Sequence, residues 1–245
     1  MRRCTGAAYI GTSGWHYKHW VGPFYPEGLR APAMFRWYAQ RFTSVEINNT
    51  FYRLPAPETF DRWRDEAPPG FLFACKASRY ITHVKRLAVD ASSVSRFFAA
   101  VDHLGGHLGP ILFQLPPRWH RNTDRLAAFL DALPDGWRYA FEFRDEDWIA
   151  PDVTDLLREH GAAYCLYDFD RRQPAVPVTA PFVYVRLHGP DGKYQGRYSA
   201  AALQGWAARI EAWRREGRDV YCYFDNDQYG YAASDASRLA TCLNS

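Results

Sequence analysis

The sequence predicts an α/β fold in which eight parallel strands and their helices close into a (β/α)8 barrel of the TIM type. Three observations predict it: eight short apolar runs, amphipathic helix patterns between them, and a length of 245 residues. Buried parallel strands have near-continuous apolar sequences, and eight βα units of this size match one barrel. We therefore expect residues 1–245 to form a single domain. An open doubly wound sheet is the alternative, but no GxGxxG motif follows the first run.

Each predicted strand is a run rich in aromatic or β-branched residues that ends in polar or turn-forming residues. In chain order the runs are YIGTSGW from Tyr9, SVEINNTFY from Ser44, FLFACKASRY from Phe71, PILFQLP from Pro110, YAFEFRDEDW from Tyr139, AYCLYDFD from Ala163, FVYVRLHG from Phe182 and VYCYFDND from Val220. The near-absence of charge before the polar ends indicates burial on both faces, as in a parallel sheet.

Helix patterns occupy the gaps between the strands. PAMFRWYAQRF places Met34, Phe35 and Tyr38 on one stripe, and PETFDRWRDEA begins with Pro57 at a favourable first helical position. DASSVSRFFAAVDHLGG reaches Gly105, a suitable left-handed cap. The other helix patterns are NTDRLAAFLDALPDG, PDVTDLLREHG, SAAALQGWAARIEAWRREG and ASDASRLATCLN. After the sixth strand, RRQPAVPVTAP is too rich in proline for a helix, so we expect a loop in its place.

Composition favours a cytoplasmic protein with no membrane partner. No apolar run approaches the roughly 18 residues of a membrane span, and the start, MRRCTGAAYIGTSGW, lacks the apolar segment of a signal peptide. The cysteines form no CxxC pair and are typical of buried thiols in a reducing compartment; they are Cys4, Cys75, Cys165, Cys222 and Cys242. The net charge of +3 permits an anionic partner without requiring one.

Polar residues gather at the predicted strand ends, where barrels bind their ligands. Four strands end in polar pairs two residues apart, a spacing that puts both side chains on one face. These pairs are Glu46 with Asn48, Lys76 with Ser78, Glu142 with Arg144, and Arg186 with His188. The fourth, sixth and eighth strands add Gln114, Asp168 and the run Asp225 to Asp227. We expect these side chains to surround one pocket.

The mixed charges of this pocket predict an anion site with acid–base groups. Arg144 and Arg186 would hold the anion. Glu142 or Glu46 would act as base, and His188 or Lys76 as acid. The loops after strands seven and eight, which often bind phosphate in barrels, contribute Lys193, Tyr194 and Asn226, the last just before a helix N-terminus.

A structural alternative is an ionic plug, in which Glu142 simply pairs with an arginine and nothing binds. If the site is functional, alanine at Glu142 or Arg186 is expected to abolish turnover with little change in melting temperature. A collapse of folding would instead support the plug.

The sequence favours no metal and no cofactor. Metal sites in barrels usually combine several histidines and carboxylates at strand ends, and among the histidines His188 alone has such a position, with His83 just past the third strand. The carboxylates that could hold one magnesium ion are Glu46, Glu142, Asp168 and Asp227. No GxSxG motif is present.

Two further chemistries stay open. A retaining glycosidase needs two carboxylates about 5 Å apart, whereas Glu46 and Glu142 are expected on nearly opposite strands. A Schiff-base lysine is compatible with Lys76 after the apolar run FLFAC, because burial lowers an amine pKa, although Glu46 nearby is expected to oppose this.

Several of these motifs resemble those of the YecE-like family, also known as DUF72, a domain of unknown function. They are VEINNTFYRLPAPETFDRW, GFLFACKASRYITH, GPILFQLPP, YAFEFRDEDW, VRLHG and VYCYFDNDQYGYA, and they run in order along nearly the whole chain. The resemblance implies a cytoplasmic TIM barrel and supplies no reaction. Matched motif by motif, it implies pocket residues Trp15, Glu46, Asn48, Tyr52, Lys76, Gln114, Glu142, Arg144, Arg186, His188 and Asn226.

Three functions follow from this reading. The first is a metal-independent enzyme, a hydrolase or lyase, acting on an anionic, phosphate-bearing small molecule. The second is a protein that binds or processes nucleic acid, with aromatic residues stacking on bases. The third is a carbohydrate-active enzyme, favoured by the aromatic segment GWHYKHWVGPFYPEG. A noncatalytic scaffold is the remaining alternative.

Overall fold

Strands and helices alternate along the chain in the computed structural model, which describes residues 5–244. Within that range the strands are β1 (Ala8–Thr12), β2 (Ser44–Ile47), β3 (Leu72–Lys76), β4 (Leu108–Gln114), β5 (Tyr139–Glu142), β6 (Ala163–Tyr164), β7 (Leu166–Asp168), β8 (Phe182–Leu187) and β9 (Asp219–Phe224). The helices are α1 (Ala31–Ala39), α2 (Asn49–Tyr52), α3 (Pro57–Glu66), α4 (Ala91–Val101), α5 (Thr123–Asp131), α6 (Pro151–Glu159), α7 (Ala200–Arg215) and α8 (Tyr231–Leu243).

All strand pairs are parallel, and they form two sheets. One sheet has the order β1-β9-β8-β7 and the other has the order β2-β3-β4-β5-β6. The predicted parallel α/β fold is confirmed, but the strand pairing gives two sheets and not one closed barrel. The sixth predicted strand is interrupted at Cys165: β6 pairs with β5 and β7 pairs with β8. The proline-rich stretch 169–181 contains no helix.

The two sheets face each other across a buried interior. The Ser44 hydroxyl on β2 and the Tyr223 hydroxyl on β9 lie 2.6 Å apart. Along β8 the side chains alternate: Tyr184 packs with the inner cluster, which includes Ala74 and Leu112 of the other sheet, while Val185 packs in the larger core with the helices. This period of two gives β8 one inward face, on which Arg186 also lies.

Strand β2 ends earlier than the sequence predicts, and this changes the position of two candidate site residues. Asn48 has helical backbone angles (φ −94°, ψ −17°), and Asn49–Tyr52 form the short helix α2. The strand period of two is therefore lost after Ile47, so Asn48 does not share the face of Glu46. Tyr52 lies on α2 and not on the predicted strand.

Four cysteines lie within the described residues, and none of these four forms a disulfide. Cys75, Cys165 and Cys222 are buried, as expected, whereas Cys242 is half-buried. Cys4 lies outside the described residues. No helix in the described part of the chain is long and apolar enough to cross a membrane.

Gly11 lies where the first strand of one sheet passes close to the first strand of the other. A Cβ at Gly11 would lie 2.1 Å from the Ser44 carbonyl oxygen and 2.9 Å from the Tyr38 hydroxyl. We expect Gly11→Ala to lower the free energy of unfolding by about 1–3 kcal/mol, because backbone has to move. Gly205→Ala is the control, since Gly205 lies in α7 with open space around it, and it should stabilise by about 0.5–1 kcal/mol. Urea denaturation measures both; equal effects would contradict the close approach of β1 and β2.

Candidate functional site

An arginine on β8 lies at the centre of a buried ionic cluster at the carboxyl ends of the strands. Arg186 is 1% exposed. Its Nη2 donates to Glu46 at 2.8 Å and to Asp225 at 3.0 Å, and its Nη1 donates to Glu142 at 2.8 Å. Nε also donates to Glu46, at 3.0 Å. Arg186 thus binds three carboxylates. Because these contacts use its donors, the donors are not free for the anion that the sequence assigned to Arg186.

Glu46 has three different partners on two segments of the chain. Its carboxylate accepts from the Ser13 hydroxyl at 2.6 Å and from the Tyr184 hydroxyl at 2.7 Å, in addition to Arg186. Ser13 follows β1 directly, and its backbone forms a parallel bridge with Glu46. One charged side chain and two hydroxyl groups thus satisfy the hydrogen-bonding capacity of this buried carboxylate.

Glu142 is fully buried between two arginines. It accepts from Arg186 and forms an ion pair with Nε of Arg144. Burial alone would raise the pKa of Glu142, but Arg144 and Arg186 outweigh it and hold this pKa below the ordinary carboxyl value. Glu142 is therefore a weak base at neutral pH, which weakens the role of general base expected from the sequence.

The two carboxylates Glu46 and Glu142 contact one guanidinium, so they lie closer together than opposite walls of a barrel would place them. Both are fully buried, and neither lines the larger cavity described below. A glycosidase pair has to flank the bond that it cleaves. The carbohydrate alternative therefore loses support through burial and not through the separation expected from the sequence.

His188 is a neutral imidazole of defined tautomer. Its Nε2 lies 2.9 Å from Nη2 of Arg144 and 3.4 Å from Nη1 of Arg186. Because arginine only donates, Nε2 has to accept, and the proton lies on Nδ1, which is 3.1 Å from the Asp225 carboxylate. Burial, with Arg186 and Arg144, holds the pKa of His188 well below its usual value. As a neutral imidazole His188 orients Arg144, which weakens the role of general acid expected from the sequence.

A cavity of about 840 Å³ lies next to this cluster, and we call it the strand-end cavity. Six of the residues proposed from the sequence line it. They are Tyr52, Lys76, Gln114, Arg144, Lys193 and Tyr194. Its walls carry five basic side chains, Lys76, Arg144, Arg171, Arg172 and Lys193, against two acidic ones, Glu146 and Asp170. The volume lies within the range of about 300–1,000 Å³ that is typical of small-molecule sites.

The loop after β8 closes one side of the strand-end cavity by folding back on itself. Gly189 has a φ of 111°, and a Cβ there would lie 2.1 Å from the Gln195 carbonyl oxygen. Only glycine tolerates both the left-handed angle and this close approach. The return places the Tyr194 ring 5.5 Å from the His188 ring and 5.8 Å from the Phe169 ring.

Arg144 joins the ionic cluster to the cavity. Its guanidinium carbon lies 3.8 Å above the Phe169 ring, and Nη2 donates to His188. Its Nη1 is buried and has no hydrogen-bond partner among the described residues. An unpaired buried donor on a charged group costs free energy, and the side chain that carries it lines the strand-end cavity.

Lys76 ends β3 at the wall of the strand-end cavity. Its Nζ lies 4.4 Å above the Phe51 ring, and the Thr50 hydroxyl donates to the Lys76 carbonyl at 2.6 Å. Burial and then Arg186 lower the pKa of Lys76 to about 8. The sequence led us to expect that Glu46 would keep Lys76 charged. Glu46 instead forms its ion pair with Arg186, so its effect on Lys76 is outweighed.

Three residues proposed from the sequence lie away from the strand-end cavity. Trp15 and Asn48 line a second cavity of about 460 Å³ between the first loop and α3. Asn226 is fully buried, and its Nδ2 donates to the Gly196 carbonyl and to Asp235, both at 2.9 Å. Asn226 thus ties the loop after β8 to α8, and Gly230 at the start of α8 packs against Pro23 and Trp20.

Several site residues were missed by the sequence reasoning. Ser13 and Tyr184 complete the ionic cluster together with Asp225, which follows β9 directly and which the sequence had placed among the strand-end residues. The period of two along β8 puts Tyr184 on the face of Arg186 and could have identified it. His83 lies on the one-turn π-helix Tyr80–Val84 and lines the strand-end cavity. The centroid of its ring is 5.0 Å from that of the Phe51 ring. Burial and then Lys76 lower the pKa of His83 to about 4, so its imidazole is neutral. No sequence pattern signalled that turn.

The four carboxylates considered for magnesium do not converge. Glu46 and Glu142 are bound to Arg186, while Asp227 accepts from the Trp20 indole and lies 3.2 Å from His19. Within residues 5–244, the one group of three side chains spaced for a metal is His120, Asp145 and Asp147, and none of the three lines the strand-end cavity. Such acidic groups are common on protein surfaces without an ion.

Comparison with known proteins places this geometry in a wider context. Residues 9–245 match the family described as "Protein of unknown function DUF72". The chain is 28% identical over 233 residues to the UPF0759 protein YecE of Escherichia coli K12, covering 84% of this chain and 82% of YecE. It is 23% identical over 273 residues to the UPF0759 protein YunF of Bacillus subtilis 168, covering 96% and 94% of the two chains. A crystal structure of a DUF72 family protein of Thermotoga maritima matches with a TM-score of 0.88 at 25% identity, over 98% of this chain and 100% of that one.

Proposed function

The chain belongs to the DUF72 family, and on this premise we propose that it is a metal-independent enzyme that binds an anionic, phosphate-bearing small molecule in the strand-end cavity. The family relationship bears out the resemblance seen in the sequence motifs and carries no reaction with it. The proposal therefore depends on the site. The observation that carries it is that Arg144 lines the cavity while its buried Nη1 has no hydrogen-bond partner among the described residues.

The arrangement around Arg144 supports a ligand role for this residue. His188 and Glu142 hold its Nη2 and Nε sides, and the Phe169 ring covers its face. A guanidinium held on three sides is preorganised, so little conformational entropy is lost when its free side binds an oxyanion. Lys193, whose nearest ion-pair partner Asp170 is 3.9 Å away, is the second cation proposed to contact the ligand.

Lys76 is the acid–base group that we assign to the reaction. With a pKa of about 8 it exchanges a proton readily near neutral pH. Glu46, Glu142, Arg186 and His188 then act as positioning residues that hold Arg144 and set the charge state of Lys76. A hydrolase or a lyase would both use one such proton carrier beside a bound anion.

We also propose that the strands close into a (β/α)8 barrel in which β6 and β7 are two halves of one strand. At one junction the Gly14 amide donates to the Glu46 carbonyl at 2.8 Å, beside the bridge between Ser13 and Glu46. At the other junction Cys165 alone separates β6 from β7, and its amide donates to the Phe141 carbonyl at 2.8 Å. If the strands close in this way, the strand-end cavity lies at the carboxyl face of a barrel, where barrel enzymes bind their substrates.

Glycerol 3-phosphate, a phosphate ester without a carbonyl group, tests anion binding. We expect calorimetry to detect its binding to the native protein and to detect none for glycerol. Arg144→Met should weaken the affinity by about 10–100-fold, the effect of losing a charged hydrogen bond of about 1.5–3 kcal/mol. The control is Arg96→Met, an exposed arginine on α4 that does not line the cavity. Equal affinities of the two variants would contradict the proposal, provided that both unfold cooperatively.

A nucleic-acid ligand is the second candidate, and exposed aromatic rings favour it. Tyr52 is 82% exposed beside the strand-end cavity, and Tyr229 is 69% exposed beside a neighbouring hollow that shares Lys193 and Tyr194. Exposed rings beside cations can stack on single-stranded bases. Fluorescence polarisation with a labelled single-stranded oligonucleotide decides between the two: steeply salt-dependent binding that Tyr52→Ala weakens would favour nucleic acid.

A further inference from the structure

The amine of Lys76 faces the strand-end cavity without a carboxylate partner. Its Nζ has the Phe51 ring at 4.4 Å, and none of the acidic residues in the described chain forms an ion pair with it. The carboxylates nearby are occupied, since Glu46 and Glu142 are bound by Arg186 and Arg144. Lys76 is thus a cavity amine that no neighbouring acid holds in place.

This environment favours the neutral amine. Burial, followed by the positive charge of Arg186, lowers the pKa of Lys76 from 10.5 to about 8. At pH 7 the fraction of neutral amine is then about two orders of magnitude larger than for an exposed lysine. A neutral amine next to an aromatic ring and cations is the form that attacks carbonyl groups.

We propose that Lys76 is a nucleophile whose Nζ forms an imine with the carbonyl carbon of an anionic aldehyde or ketone held in the strand-end cavity. This inference rests on the proposed function, because Arg144 has to hold the anionic group while the carbonyl group reaches Lys76. It adds covalent catalysis to the proton-carrier role of the same residue.

The step balances without an oxidant or a reductant. The amine lone pair forms the carbon–nitrogen bond, and the carbon–oxygen π electrons move to the oxygen. One proton from the attacking nitrogen and one from solvent reach that oxygen, which leaves as water while the nitrogen lone pair forms the C=N bond. Neutral amine, carbonyl and one proton thus give a protonated imine and one water.

The ligand class follows from the two ends of the site. One end is the unpaired Nη1 of Arg144, which suits a phosphate or carboxylate oxygen. The other is the Lys76 amine, which selects a carbonyl group. A cavity of about 840 Å³ holds a molecule with both groups, of the size of a phosphorylated sugar or keto acid.

Pyridoxal 5′-phosphate is a suitable probe because it carries an aldehyde and a phosphate. After incubation with the native protein and reduction by borohydride, we expect one stable adduct, which peptide mass mapping places on Lys76. Besides the α-amino group, the competing amines are those of Lys18, Lys85 and Lys193, and peptide mapping distinguishes all of them from Lys76. Lys76→Arg and Lys76→Met should abolish this adduct, and Lys85→Arg should leave it unchanged. Imine formation should accelerate with pH and reach half its maximum near pH 8.

Contrary outcomes separate this inference from the proposed function. If glycerol 3-phosphate binds normally but no adduct forms on Lys76, or if adducts spread over all the lysines, the imine proposal fails and the anion site stands. If neither glycerol 3-phosphate nor the probe binds, both proposals fail. 5′-Deoxypyridoxal, which lacks the phosphate and cannot close to a cyclic hemiacetal, should react about tenfold more slowly at low concentration, since it lacks the charged contact with Arg144; an equal rate would also overturn the proposal.

Discussion

Arg186→Met is expected to destabilise the protein by about 3–5 kcal/mol at pH 7, because it leaves a buried carboxylate cluster without its central cation. Glu46 would lose all its charged partners, and Asp225 and Glu142 would each lose one. This loss is comparable to the whole stability of a marginal domain, about 5–15 kcal/mol. Arg186→Lys keeps the charge but loses the multidentate geometry, so an intermediate loss is expected. Denaturation by guanidinium chloride measures the free energy of unfolding of the native protein, Arg186→Met and Arg186→Lys.

The pH dependence distinguishes this mechanism from simple loss of packing. In the native protein the lowered pKa of Glu142 means that its ion pair stabilises fully above the ordinary value of 4.5 and is lost as pH falls through the lowered pKa. In Arg186→Met the unpaired carboxylates would have raised pKa values, so the variant recovers stability as pH falls towards about 5. The difference in free energy of unfolding between the native protein and Arg186→Met should therefore become smaller as the pH falls. Arg36→Met, at an exposed ion pair of 3.9 Å, should change stability by less than about 0.5 kcal/mol. A gap that does not depend on pH would contradict the ionic account.

Glu142→Ala is expected to lower the free energy of unfolding by about 3–5 kcal/mol, the usual cost of breaking a buried ion pair. We expect formate to restore part of this stability. The substitution leaves Arg144 and Arg186 facing an empty volume of carboxylate shape beside the strand-end cavity. Formate that binds between the two guanidinium groups would restore about 1.4 kcal/mol at about ten times its dissociation constant. Thermal unfolding in sodium formate against sodium chloride of equal ionic strength measures the rescue.

The rescue has two controls. The native protein has no vacancy at Glu142, so formate and chloride should act alike on it. Glu66→Ala removes a carboxylate whose ion pair with Arg36 is exposed and long, and it should show neither the stability loss nor the rescue. Stabilisation of Glu142→Ala by chloride to the same degree would mean that general screening, and not a carboxylate site, is responsible.

These two predictions revise the simple contrast between a functional site and an ionic plug. The cluster of Arg186 with Glu46, Glu142 and Asp225 has the character of a plug, since it is buried and its groups pair with one another. A polar cavity lies directly beside it, and Arg144 and Lys76 face that cavity. A loss of stability on changing Arg186 is therefore compatible with function.

The sequence predicted the convergence of strand ends because a period of two and apolar strand interiors are local properties. The ends of three strands, β2, β5 and β8, supply Glu46, Glu142, Arg186 and His188, and these side chains do meet. The prediction failed at Asn48, where the strand stopped one residue early and the period no longer applied. The sequence assigned the anion to both Arg144 and Arg186, since spacing alone does not show which of the two arginines uses its donors on neighbouring carboxylates.

The pKa values were least accessible from the sequence. Lys76 and Glu46 occupy neighbouring strands, which suggested an ion pair that would keep the amine charged. Arg186 comes from a strand of the other sheet and takes the carboxylate instead. Long-range pairing of this kind depends on the three-dimensional fold, as does the presentation of His83 by a one-turn π-helix.

A crystal structure of the native protein with glycerol 3-phosphate tests the central claim most directly, because it locates the anion. We expect the phosphate in the strand-end cavity, with one oxygen within about 3 Å of Arg144 Nη1. Phosphate density in the second cavity beside Trp15 and Asn48, or outside both cavities with Arg144 Nη1 still unpaired, would contradict the account.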